Sequence, residues 1–255
     1  MPYGMYISAE GADLQATRLE VLSNNLANVN TVGFKRDVPS FQARLAEAVE
    51  QGLVSAGNGE LEDIGGGVML NDIETDWSSG TLKDTGGQFD FAISGKGFFQ
   101  LQVGGEQLLT RAGNFAVDVN NQLVSQQGFP VLSSDGSPIT VDPALGRIEV
   151  GRDGKISQVL GTTRSEVAEI GLFSPASLGD LAKRGENMFA PLAAVTPVAA
   201  NERAVLSGYL EESGVEPTTE MMDLIEASRF FEANVNLIQN QDQMLDSLIS
   251  RLLRA

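Results

Sequence analysis

A chain of 255 residues with 34 acidic against 17 basic side chains has a formal net charge of −17, which opposes binding to nucleic acid or to anionic membrane surfaces. With no histidine and no cysteine, it lacks the commonest general base, the thiol nucleophiles and the usual zinc ligands. No segment approaches the roughly 18 apolar residues of a membrane-spanning helix. The first residues carry Glu10, Asp13, Arg18 and Glu20 without an apolar core, so no Sec-type leader is expected.

The first predicted element is a helix. Ala12, Leu19, Leu22, Leu26 and Val29 fall on helical steps, with Leu14 and Val21 on the flank. Asparagine is a poor helix-interior residue, because its amide competes for nearby backbone groups. Yet Asn24, Asn25 and Asn28 lie three and four apart beside this apolar seam, where amides can both donate and accept. That suits side-by-side helix packing in a fixed register. From Asn28 to Thr31 the residues are cap and turn formers, Gly33 can take a positive φ, and Phe34 is placed to fold back against the preceding turn.

Residues 41 to 51, with Phe41, Leu45, Ala48 and Val49, read as a weak helix that Gly52 ends. Glycine clusters then bracket the acidic stretch Glu60 to Asp63, and residues 52 to 67 are expected to be a mobile or assembly-ordered loop. From Val68 onward short apolar runs alternate with Gly, Asn, Asp and Pro. Asn120-Asn121, Asp135-Gly136 and Asp153-Gly154 stand where tight hairpin turns would. This predicts an all-β domain of irregular antiparallel strands, in which Trp77, the only tryptophan, serves as a core or interface anchor.

The last element is a second helix. Met221, Leu224, Ser228, Phe231, Val235, Ile238, Asp242, Leu245, Ile249 and Leu252 step by three and four without a break, which is a coiled-coil repeat. A second row, Met222, Ile225, Leu237, Met244 and Leu248, widens the apolar face beyond a two-stranded seam, so more than one neighbour is expected. Thr218 or Thr219 is the expected N-cap, followed by Glu220 and Asp223 at the positive helix end, with Arg251 and Arg254 at the negative end.

Catalysis finds little support. Asp84 and Asp90 belong to a Gly-rich turn and a strand edge, and Glu60, Glu62 and Asp63 to the loop. Gly95-Lys96-Gly97 lacks the spacing of a P-loop, and Asp118 to Gln122 lacks the Gly and distal Glu of a calcium loop. No enzyme activity, cofactor or metal is expected.

Asn24-Asn25-Leu26-Ala27-Asn28 followed by Thr31-Val32-Gly33-Phe34-Lys35 resembles the N-terminal signature of the flagellar basal-body rod and hook (axial) proteins. Gln88 to Gln100, Leu109 to Ala116, Gly208 to Val215 and Arg229 to Asn234 are similar to the same family, with Gly214 standing where its members more often have Asn. The resemblance implies a structural rod subunit, nearest the proximal-rod type with the distal-rod type as alternative. A different class altogether would be an extracellular coiled-coil binding module. The rod subunit's partners would be copies of itself, homologous rod proteins and the flagellar export apparatus, with no nucleic acid and no direct membrane insertion. It would reach the periplasmic rod of the basal body without a cleaved signal peptide.

The expected fold is α+β, with N- and C-terminal helices pairing as a coiled coil and a central all-β domain of irregular antiparallel strands. The expected segments are 1–40 (N-terminal helix), 41–75 (helix extension and Gly-rich loop), 76–210 (β domain) and 211–255 (C-terminal helix). Subunit contacts are assigned to Leu22, Asn24, Asn25, Leu26, Asn28, Thr31, Gly33 and Phe34, and to Met221, Leu224, Phe231, Val235, Ile238, Leu245 and Ile249. Terminal helices with unburied seams are expected to be disordered before assembly.

Overall fold

The computed structural model describes residues 3–44, 65–142, 146–160 and 163–253. The chain forms two compact units, one from Met1–Ala27, Asp37–Asp76 and Glu216–Ala255, the other from Asn28–Arg36 and Trp77–Val215.

The helical unit contains α1 (Tyr3–Ala27), β1 (Asp37–Arg44), β2 (Gly67–Thr75) and α2 (Pro217–Leu252). With 36 residues, α2 runs for about 54 Å at 1.5 Å per residue. It starts at Pro217, where the missing N–H would have no helical partner anyway. Glu216, and neither Thr218 nor Thr219, is the N-cap residue; Thr219 instead donates its hydroxyl to the Glu216 carboxylate at 3.1 Å. Glu220 in the first turn and Arg251 in the last complement the helix dipole.

The two helices pack against each other in antiparallel directions. A Cβ added to Gly4 would lie 2.9 Å from Gln241 Nε2, and one added to Gly11 would lie 3.1 Å from Asn234 Oδ1. Further along, Arg18 pairs with Asp223 at 3.6 Å, and Asn25 meets Glu220. Contacts therefore advance along α1, from Gly4 to Asn25, while they recede along α2, from Gln241 to Glu220. The glycines permit the close approach, and Ala12 and Ala227 are buried in the same unit. Two helices already in contact within the chain correct the expectation that both seams wait unburied for other subunits.

Residues 41 to 44 are not helical. They end β1, which pairs antiparallel with β2 from Asp37↔Thr75 to Arg44↔Gly67, with a register shift between Ser40 and Phe41. The apolar positions Phe41, Val68, Leu70 and Ile73 fit a pleat as well as a helix. The strand partner lies some thirty residues further on, beyond the reach of a local period. Residues 45 to 51 of that expected helix, and 52 to 64 of the expected loop, lie outside the described residues.

The second unit is β-rich. Its main sheet is antiparallel, in the order β13 (Leu181–Gly185), β14 (Met188–Pro191), β6 (Glu106–Thr110), β5 (Phe98–Val103), β12 (Leu172–Pro175), β15 (Val195–Pro197). A three-stranded sheet joins β11 (Thr163–Glu169), β10 (Lys155–Leu160) and β9 (Arg147–Val150). Three strand pairs complete the unit: β16 (Val205–Ser207) with β4 (Phe91–Ile93), β17 (Tyr209–Glu211) with β3 (Leu82–Asp84), and β7 (Ala116–Val117) with β8 (Leu123–Val124).

The expected turns are present. Asn121 takes φ +61°, while Gly136 and Gly154 take +78° and +85°, a region glycine enters without steric cost. Asp118 closes the first turn by accepting from the backbone N–H groups of Gln122 and Asn120, and these bonds hold its carboxyl below the usual value. The core gathers Phe91, Phe99, Leu101, Leu123, Val131, Ile139, Ile170 and Leu172. Trp77 anchors a second cluster, edge-on to Phe98 at 5.6 Å and to Phe189 at 4.9 Å.

Candidate subunit-interaction sites

The signature asparagines do three different things. Asn25 is buried, 1% exposed, and its amide mimics a strand partner: Nδ2 donates to the Asp37 carbonyl at 2.8 Å, and Oδ1 accepts from the Asp37 N–H at 2.9 Å. Nδ2 also reaches Glu220 Oε2 at 3.5 Å, so one side chain ties the end of α1, the start of β1 and the first turn of α2. Asn28 shapes the turn after α1, its side chain accepting from the Thr31 hydroxyl at 3.1 Å and its carbonyl from the Thr31 N–H at 3.1 Å. Asn24 is exposed.

Higher helix propensity would by itself make Asn25→Ala neutral or stabilising. The geometry reverses that expectation. Removing the amide leaves a backbone donor and acceptor of Asp37 without their partner, at about 1 to 3 kcal/mol each. Asn25→Ala should therefore lower stability by about 2 to 4 kcal/mol in denaturant titration, while Asn28→Ala costs at most about 1. Equal effects of the two substitutions would contradict the clamp.

Gly33, Phe34 and Lys35 belong to the β-rich unit. The Gly33 N–H donates to the Glu211 carbonyl at 2.7 Å and the Gly214 N–H to the Phe34 carbonyl at 3.0 Å, so the Thr31–Lys35 and Gly208–Val215 motifs meet backbone to backbone. This turn is held without a side chain at residue 214, which is why glycine serves there. Phe34 closes the turn, its N–H donating to the Thr31 carbonyl at 3.2 Å, and its side chain is buried with the Lys183 ammonium 4.8 Å from the ring centre.

Beside it sits an ionic cluster that sequence reasoning did not find. Lys35 Nζ is 2.6 Å from Glu211 Oε1 and 2.7 Å from the Ser78 carbonyl, while Arg111 Nη1 is 3.2 Å from Glu211 Oε2. Arg111 also donates to the carbonyls of Ile93 and Gly95. Lys35 and Glu211 are each 1% exposed and Arg111 is 7% exposed. Burial pulls the Arg111 guanidinium below its ordinary pKa, and Glu211 opposes that shift. All three residues lie inside the motifs quoted above, but nothing local in those motifs pairs them.

On α2 the expected face divides. Leu224, Phe231, Val235, Ile238 and Leu245 are half-buried, as is Leu26 on α1, while Leu22 is buried. Met221 and Ile249, from the same expected set, are exposed. Exposed with them are Met222, Ile225, Phe230, Leu237, Met244, Leu248 and Leu252, from 46% at Met221 to 77% at Leu252. Of the acids considered for catalysis, two are engaged in turns, Asp90 accepting from the Thr85 hydroxyl and Asp84 from the Gly86 N–H, while Glu60, Glu62 and Asp63 lie outside the described residues.

Two long terminal helices in contact, one carrying exposed apolar side chains from Met222 to Leu252, accompany a β-rich unit in an α+β arrangement. Three family profiles match the chain: "Flagella basal body rod protein" over residues 5–35, "Flagellar hook protein FlgE/F/G D1 domain" over 92–158, and "Flagellar basal body rod FlgEFG protein C-terminal" over 206–251. The chain is 33% identical to the flagellar basal-body rod protein FlgF of Caulobacter vibrioides, an alignment covering 99% of this chain and 98% of that protein. It is also 33% identical to the rod protein FlgG of Bacillus subtilis, covering 96% and 97%, and 33% to FlgG of Caulobacter vibrioides, covering 94% and 95%. The chain belongs to the flagellar basal-body rod protein family, structural components of the flagellum that serve motility.

Proposed function

We propose that this chain is a rod subunit of the FlgF type, in the proximal rod, which polymerises through its terminal helices into the axial shaft. It acts without catalysis or cofactor, reaches the periplasmic rod through the flagellar export apparatus without a cleaved signal, and assembles with copies of itself and homologous rod proteins. The observation that carries this reading is the exposed apolar row of α2. One side of the helix is covered by α1, and its flank keeps Leu237, Met244 and Leu248 in water. Burying such a side chain contributes about 1.5 to 3 kcal/mol, so a row of them favours association strongly. We read the antiparallel pairing of α1 with the three-and-four repeat of α2 as a coiled coil that presents this row to neighbouring subunits.

A distal-rod, FlgG-type subunit is the second reading, favoured by the equal identity to FlgG over nearly the whole chain and by the Ile64-Gly-Gly-Gly-Val68 sequence, which resembles distal-rod proteins. Density for an isolated basal body, with this subunit tagged, distinguishes the two positions.

The double substitution Leu237→Glu with Met244→Glu tests the polymerisation reading. Both positions are exposed, so monomer stability should change by no more than about 0.5 kcal/mol. The subunit should nevertheless disappear from isolated basal bodies and swimming should be lost, whereas Gln239→Ala on the same helix does neither. Normal swimming by the double variant would refute assembly through this face.

A further inference from the structure

We propose that a cavity of about 400 Å³ in the β-rich unit receives a carboxylate side chain from a neighbouring subunit, an inference that rests on the rod reading above. Its lining includes three cationic residues, Lys35, Lys96 and Arg111, and no acidic one, in a chain with twice as many acids as bases. Trp77, Phe98 and Pro175 supply apolar walls. Lys35 and Arg111 are buried and held by Glu211. Lys96, on the turn between β4 and β5, is exposed and has no ion-pair partner among the described residues. Arg111 lies 5.1 Å from the Phe98 ring centre, and its Nε–H is buried without a hydrogen-bond partner.

Low-dielectric walls strengthen the field of these cations inside the cavity, and its volume exceeds that of a carboxylate group alone. A glutamate fits in both parts, its methylenes against Trp77 and Phe98 and its charge toward Lys96. Copies of a chain with net charge −17 repel one another, so a cationic recess is where one copy can attract an acidic side chain of the next. Such a contact sets register and partner choice more than raw affinity.

The test uses the full chain carrying Lys96→Glu, with Lys96→Arg as the charge-conserving variant. Lys96 is exposed, so both should melt with the parent protein. Recovery of the subunit in isolated basal bodies should fall about tenfold or more for Lys96→Glu, because a like charge now faces the incoming carboxylate, and should stay at the parental level for Lys96→Arg. Parental recovery of Lys96→Glu overturns the inference, and so does an equal loss with Lys96→Arg, which would show that the charge is not what matters. Sodium acetate provides a further arm, with Trp77 as an intrinsic fluorescent reporter in the cavity wall. If acetate alters its emission while Lys96→Glu assembles normally, the cavity binds free anions and the subunit contact is refuted. Absence of the parental chain itself from basal bodies would instead sink the rod reading, and this inference with it.

Discussion

Glu211→Ala should lower the melting temperature of the protein by about 6 to 20 °C, through a loss of about 3 to 5 kcal/mol. The carboxylate is 1% exposed and takes hydrogen bonds from Lys35, Arg111 and the backbone N–H of Gly80. Without it, two buried cations face each other with no counter-charge from that position. Breaking a buried pair on one side costs far more than the intact pair contributes, because the remaining charge stays desolvated. Such a loss is a large share of the roughly 5 to 15 kcal/mol that hold a typical domain together. Glu211→Gln keeps the shape and the Gly80 contact but not the charge, and should fall between the parent and Glu211→Ala. A Glu211→Ala protein that melts within about 2 °C of the parent would show that the cluster contributes nothing net.

Gly33→Ala should be nearly as damaging. Gly33 takes φ +66°, a region that costs an L-residue about 1 to 3 kcal/mol. A Cβ there would also stand 2.5 Å from the Arg111 carbonyl carbon and 2.6 Å from its oxygen. These are backbone atoms and cannot rotate away. The chain must move, and with it the Gly33 N–H bond to the Glu211 carbonyl and the adjoining ionic cluster. A destabilisation of about 3 kcal/mol or more is expected, read as a shift of the denaturant midpoint. The contrast is Gly214→Asn: a Cβ at Gly214 would meet only the Phe34 carbonyl, at 3.8 Å, so a change within about 1 kcal/mol is expected. If Gly33→Ala is as mild as Gly214→Asn, the packing explanation of this signature glycine is wrong.

The three-and-four stepping from Met221 to Leu252 marks α2 along nearly its whole length, because a helix is written in residues close together in the chain. Turn formers mark the hairpins of the β-rich unit for the same reason. The cap of α2 was displaced by one turn-former: Pro217 opens the helix before the threonines can cap it. At residues 41 to 44 the local period misleads, because Phe41 with Leu45, Ala48 and Val49 suits a helical step, and only pairing with Leu70 of β2 makes it strand.

The sequence by itself determined the α+β class, the terminal helices, the absence of histidine and cysteine, and through its motifs the flagellar rod family. Tertiary structure alone decided that Asn25 is a clamp and Asn28 a turn, that Gly33 exists to let Arg111 approach, and that Lys35, Arg111 and Glu211 form one cluster. It also decided which side of α2 is covered by α1 and which stays in water. The physical reason is distance along the chain. Propensity and period act over a few residues, whereas Lys35 and Glu211 are 176 positions apart, and their energy exists only where folding has brought them together and excluded water.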